Sequence, residues 1–219
     1  MDSLRKKYSG LGLLIILALV SGCVSAGSSP QSKFYSLSPL KDKEIPKIAS
    51  PALKDAVIGV GPLELPAYLS RPQIVTRGGD NELVLAEFNR WAEHLDEAIV
   101  RVVSQNLMSI FPESKVFLYP WGYYVPVKYQ VAIEVISIEA SLKNEARISL
   151  GWSLLDAKSK NALLTKNSVY NSRVDKSNYN GVVEAINQGL YEFSLEIARA
   201  IAADAESSSK AEKKEKTAD

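Results

Sequence analysis

One thiol and one imidazole are the most reactive groups in this sequence, because Cys23 and His94 are its single cysteine and single histidine in 219 residues. One of each leaves almost nothing with which to build a metal site, a disulfide framework or a Cys–His catalytic pair, so none is expected. His94 lies in Arg90-Trp91-Ala92-Glu93-His94-Leu95, with no serine elbow nearby and no second histidine. As a general base it needs partners that spacing does not supply; the alternative is a surface residue at a helix start. Carboxylates are numerous, and Glu64 with Glu87 is one pair that could act on a glycosidic bond, yet nothing marks a pair as buried or opposed. Gly59-Val60-Gly61-Pro62 lacks the helix and lysine that make a phosphate loop and reads as a turn after a strand. With 26 basic against 25 acidic side chains the net charge is +1. No field exists to hold nucleic acid, and no nucleic-acid partner is expected.

The environment of Cys23 gives its thiol a use. Leu4-Arg5-Lys6-Lys7 is a basic start, Leu11 to Val20 is apolar, and Ser21-Gly22-Cys23 ends the run. This is the layout of a bacterial secretory leader over residues 1–22. The apolar run is about half the ~20 residues of a membrane-spanning helix. Val20-Ser21-Gly22-Cys23 resembles the lipobox of bacterial lipoproteins. The resemblance implies a diacylglycerol on the thiol, cleavage before Cys23, and an N-acyl chain, palmitate being one such chain, on the freed amine. A thiolate suits this role because it is nucleophilic enough to be alkylated cleanly by a lipid donor. No other cofactor is expected. Residues 1–22 hold Asp2, Arg5, Lys6 and Lys7, so the mature chain carries a formal charge of −1. Val24 stands where enteric-type lipoproteins commonly place an aspartate that retains them at the inner membrane. That likeness implies the outer membrane, on its periplasmic face. Residues 23–32 are small and polar and read as the lipidated end and a flexible tether.

Residues 33–204 form the body. Phe34 to Leu37 and Ala56 to Val60 read as strands, and Gln73–Arg77 with Glu82–Ala86 flank Gly78-Gly79-Asp80-Asn81 as a hairpin. Leu95, Ile99, Val102, Val103, Leu107 and Ile110 recur at helical spacing from Ala92 to Ile110, and Pro112 stops the helix. Lys115 to Tyr119 is a short strand. From Tyr129 apolar residues alternate, and the phase shifts at Ile136, as at a bulge or in a strand buried on both faces. Ala146, Ile148, Leu150, Trp152 and Leu154 alternate with small or polar residues, and after the turn at 156–161 the chain returns from Leu163 to Asn171. A second helix runs from Tyr179 to Ala203, capped by Ser177 or Asn178. The expected fold is α/β in the sense of an α+β sandwich: a mixed, largely antiparallel sheet with two amphipathic helices on one face. Residues 205–219 lack large apolar side chains and read as a disordered charged tail, a solvated extension of the helix being the alternative. Tyr119-Pro120-Trp121-Gly122-Tyr123-Tyr124 is an aromatic loop that either covers one end of the sheet or contacts a partner or lipid.

Two stretches carry a specific likeness. Residues 58–77, from Ile58-Gly59-Val60-Gly61-Pro62 to Ile74-Val75-Thr76-Arg77, and residues 88–95, Phe88-Asn89-Arg90-Trp91-Ala92-Glu93-His94-Leu95, resemble the ABC-type transport auxiliary lipoprotein family, which includes the paraquat-inducible protein C lipoproteins. Leu65, Pro66, Tyr68, Leu69, Arg71, Gln73 and Arg77 match the first motif; Arg90, Trp91, Ala92, Glu93 and Leu95 match the second. His94 departs from the family, which commonly has proline there. The likeness spans roughly residues 33–204.

The resemblance implies a non-enzymatic lipoprotein of an intermembrane transport system that moves lipids or other hydrophobic compounds. Its partner would be an MCE-domain protein, its mount the outer membrane, and a homo-oligomeric ring is one arrangement the likeness allows. Leu65, Pro66, Tyr68, Leu69, Arg71, Gln73, Arg77, Arg90 and Glu93 are the partner-interface candidates. Arg71 and Arg77 offer forks for carboxylates or phosphates, and the alternative is pairing within the fold. Trp91 is expected in the core. Other readings are an independent lipid carrier, which needs an apolar cavity, and an envelope hydrolase using His94.

Overall fold

Alternation along one strand sets the architecture. In the computed structural model, which describes residues 30–39, 46–48 and 50–216, Glu145–Asp156 forms β7 and buries Ala146, Ile148, Leu150, Trp152 and Leu154 on one face. The expected leader at 1–22, Cys23 and most of the tether lie outside the described residues. β6 (Tyr129–Ala140) runs antiparallel to β7, pairing Val131 with Leu154, Ile133 with Trp152 and Val135 with Leu150. The register shifts between Val135 and Ser137, after which Ile138 faces Ile148. That bulge is the phase change seen at Ile136, which it turns outward. β8 (Ala162–Arg173) closes the far edge, while β2 (Val57–Glu64) lies parallel to both β6 and β5 (Lys115–Leu118). The order is β5-β2-β6-β7-β8.

Both helices lie on this sheet. α1 (Leu95–Ile110) packs on β2 and β5, and α2 (Tyr179–Lys216) packs on β7, β8 and α1. Their stripes, Ile99, Val102, Val103 and Leu107 on α1 and Val182, Ile186, Leu190, Phe193, Ile197 and Ile201 on α2, are fully or almost fully buried. Asp96 and Glu97 stand in the first turn of α1, where the helix dipole favours negative charge. Asn178 rather than Ser177 caps α2, its Oδ1 accepting the Gly181 N–H at 3.0 Å. Between the helices Asn106 Nδ2 donates to Ser194 Oγ at 3.1 Å. Lys166 and Tyr170 on β8 both donate to Glu196 of α2. Burial and that carboxylate push the Tyr170 phenol well above its usual range.

The fold class is α+β as expected, with two refinements. First, the strands divide into two sheets. β2 is paired along both edges, so loop Leu65–Pro72 carries the chain off the main sheet. β3 (Gln73–Arg77) and β4 (Leu83–Trp91) then pair antiparallel, and β1 (Lys33–Tyr35) adds parallel to the end of β4, giving the order β1-β4-β3. Second, the expectation of a disordered tail from Ala205 is corrected, because α2 continues to Lys216. The helix is already nucleated by its packed turns, so each Ala, Glu or Lys added needs only propagation. Ala205 is buried, and Ser207 Oγ donates back to Ala203 O at 2.9 Å. Among the described residues no helix is long and apolar enough to cross a membrane.

Candidate functional site

The two motif stretches meet at one cleft. Loop Leu65–Pro72 turns tightly, with Leu69 N–H donating to Pro66 O at 2.9 Å and Arg71 N–H to Leu69 O at 2.8 Å. Trp91 N–H donates to Pro72 O at 2.6 Å, which fastens the loop to the junction of β4 and α1. The resulting cleft, of about 400 Å³, is lined by Ser70, Arg71, Trp91, Glu93, His94 and Asp96, among others. Trp91 is buried in the core, as expected, and Leu69 joins it; Leu65 and Tyr68 are half-buried against it. Pro66 is also half-buried, and Gln73 faces Arg90 across the strands.

Arg71 is half-buried, and its Nε is fully covered without any hydrogen-bond acceptor. A covered donor left without an acceptor costs roughly 1–3 kcal/mol, more when charged. This arginine is therefore short of one anionic or carbonyl oxygen. The other charged candidates are satisfied within the fold. Arg77 sits at the far end of β3, where it donates to Glu139 on β6 and to Asp80 O. Arg90 Nε donates to Glu87 O at 3.1 Å. Glu93 accepts from Arg101 through both oxygens, at 2.6 and 3.2 Å, and from Ser36 Oγ at 2.8 Å. Arg101, which sequence spacing does not single out, also donates to Leu37 O at 2.9 Å, so it clamps the segment after β1 to α1.

The Arg101 guanidinium holds the Glu93 carboxyl below its usual range, against the opposing pull of desolvation and with help from Ser36. A depressed folded-state value stabilises the fold above the unfolded value of about 4.3, and that contribution is lost as pH falls through the folded value. Thermal melts on acidification check this: the wild type loses stability, and Glu93→Gln shows a flatter dependence over the same window.

The aromatic loop packs on the sheet through one ring and leaves others exposed. Trp121 packs against Gly59, where a Cβ would meet its ring at 2.5 Å, so a larger residue would have to push the ring aside. Tyr119 meets Trp121 edge-on at 5.5 Å. Tyr123 and Tyr124 instead project into solvent, at 101% and 78% exposure.

His94 is exposed at the start of α1 and makes no side-chain cap. Ser70 and Asp96 share its cleft, yet no hydrogen bond joins His94 to either among the described residues. His94→Ala is expected to leave the melting temperature unchanged, measured by circular dichroism.

No protein of curated function matches the chain. Among solved structures, an uncharacterized protein aligns at 23% identity and TM-score 0.64, covering 78% of this chain and 99% of its own. Protein XCC0632 from Xanthomonas campestris aligns at 16% identity and TM-score 0.63, covering 80% and 99%. These likenesses are ones of fold. The family model for the ABC-type transport auxiliary lipoprotein component matches residues 35–198, which contain both motifs, the clamp, the cleft and the aromatic loop. The chain belongs to the ABC-type transport auxiliary lipoprotein family.

Proposed function

We propose that this auxiliary lipoprotein is held on the periplasmic face of the outer membrane by acyl chains on Cys23 and serves as the docking subunit of an MCE-type intermembrane lipid transport system. The observation that carries the docking role is Arg71, half-buried and without a side-chain partner among the described residues, in a cleft built from both family motifs. A carboxylate on the MCE-domain partner is the acceptor that suits the uncovered end of its guanidinium. The role is non-enzymatic: the cleft binds and orients a protein surface. Filling of the space between helices and sheet by interleaved apolar side chains favours an adaptor over a carrier with an internal lipid cavity.

Copurification of the full-length lipidated protein from outer membranes after mild crosslinking tests this. An MCE-domain protein is expected among the recovered partners. Arg71→Ala removes a charge-assisted hydrogen bond of ~1.5–3 kcal/mol, so affinity for that partner falls about 10- to 100-fold while the melting temperature holds. Tyr68 packs against the core, so Tyr68→Ala lowers both. Recovery of bound lipid with no protein partner, or undiminished recovery with Arg71→Ala, overturns the docking role.

A further inference from the structure

We propose that the aromatic loop between β5 and β6 is a second membrane contact, which lays the body against the headgroup layer of the bilayer that holds the Cys23 anchor. The inference rests on the reading of Cys23 as lipidated. Three observations converge on it.

The first is composition. The twelve residues from Val116 to Val127 carry no charge, contain five of the chain's aromatic side chains, and are flanked by Lys115 and Lys128. Tyrosine and tryptophan concentrate where a bilayer meets water, because each has an apolar body and a polar tip. Flanking lysines suit the same layer, their stems lying along apolar surface and their ammonium groups reaching phosphate.

The second is exposure. Tyr119, Tyr123 and Tyr124 are exposed at 52%, 101% and 78%, while Trp121 is seated on Gly59 and braces the loop from behind. Tyr123 and Tyr124 meet edge-on at 5.9 Å. The loop thus presents aromatic rings on a fixed base.

The third is the place where the chain joins the body. Ser36, three residues after Lys33, bonds Glu93, and Glu93 lines a groove of about 480 Å³ together with Leu118 and Tyr119. The segment just after the first strand is therefore linked, through Glu93, to the groove that Leu118 and Tyr119 line. Phe34 in that strand is exposed as well, at 66%. Lys33 lies ten positions after Cys23, a span of at most ~35 Å, so a lipidated Cys23 keeps this end of the body within reach of the bilayer. The Arg71 cleft shares Glu93 and Asp96 with the groove, so a docked partner sits beside the membrane contact.

The test uses the full-length protein in vesicles of phosphatidylethanolamine with a minority of phosphatidylglycerol. Tyr123→Cys places a label for an environment-sensitive fluorophore on the loop, and Ser159→Cys places one on the β7–β8 turn as a control; both sites are exposed. A lipidated Cys23 has no free thiol, so the introduced one is the sole target. The expected result is a blue-shifted emission at position 123 that loses most of its intensity to a lipid-borne quencher, with water-like emission at position 159. The intact mass of the same sample reads the acyl chains separately. Acyl mass present with water-like emission at position 123 overturns this inference alone; acyl mass absent overturns the anchor and this inference with it. Shielding of position 123 from aqueous iodide only when protein partners are present, without quenching from the lipid, assigns the loop to a protein contact and overturns it too.

Discussion

Replacing Phe193 by alanine is expected to lower the melting temperature more than any other single truncation considered, by roughly 6–20 °C. Phe193 is fully buried on α2, edge-on to Trp152 at 5.9 Å and tilted against Tyr170 at 6.0 Å. These rings join α2 to β7 and β8, so the alanine leaves a void that three elements must share. Phenylalanine truncation in a core costs ~3–5 kcal/mol, and in a chain of this size each kcal/mol shifts the melting temperature by ~2–4 °C. Melts followed by circular dichroism, with Tyr123→Ser as an exposed control, check it. A shift no larger than the control's means that α2 is not packed on β7 and β8 in this way.

The second large effect is all-or-none. Labelled palmitate is expected to enter the wild-type protein and to be absent from Cys23→Ala. The wild-type chain stays with the membrane through a high-salt wash, because each buried methylene contributes ~0.8 kcal/mol and two or three acyl chains hold essentially permanently. Salt removes proteins held by charge alone. Label in the Cys23→Ala protein, or release of the wild type by salt, removes the anchor from the proposed function.

Local order was legible in the sequence wherever one face of an element is buried. The five-residue alternation ending at Leu154 fixed the inner face of β7, the phase slip at Ile136 became the bulge in β6, and Pro112 marked the end of α1. Pairing between distant segments was not legible. β1 joins β4 in parallel across more than fifty residues, a choice set by backbone hydrogen bonds and tertiary packing that leave no period in either segment. The length of α2 escaped for a different reason: a polar segment reads as unstructured in isolation but extends a helix that packing has already started. At the site, the motifs pointed to loop Leu65–Pro72, whose Arg71 the fold places in one cleft with Trp91 and Glu93. Which arginine was unsatisfied depended on Glu87 and Glu139, neighbours that only the folded chain supplies. Arg101 lay outside both motifs and carried no signal of its own.

The clamp around Arg101 also decides how the body bears load. A pull on the chain ahead of Lys33 directed along β1 loads its three residues' bonds to the end of β4 together, in shear. Beyond them, Arg101 grips Leu37 O, Ser36 and Glu93, and transmits the force to the buried body of α1. Tension on such a mount is therefore carried by the core rather than by a surface strand that could peel away one bond at a time.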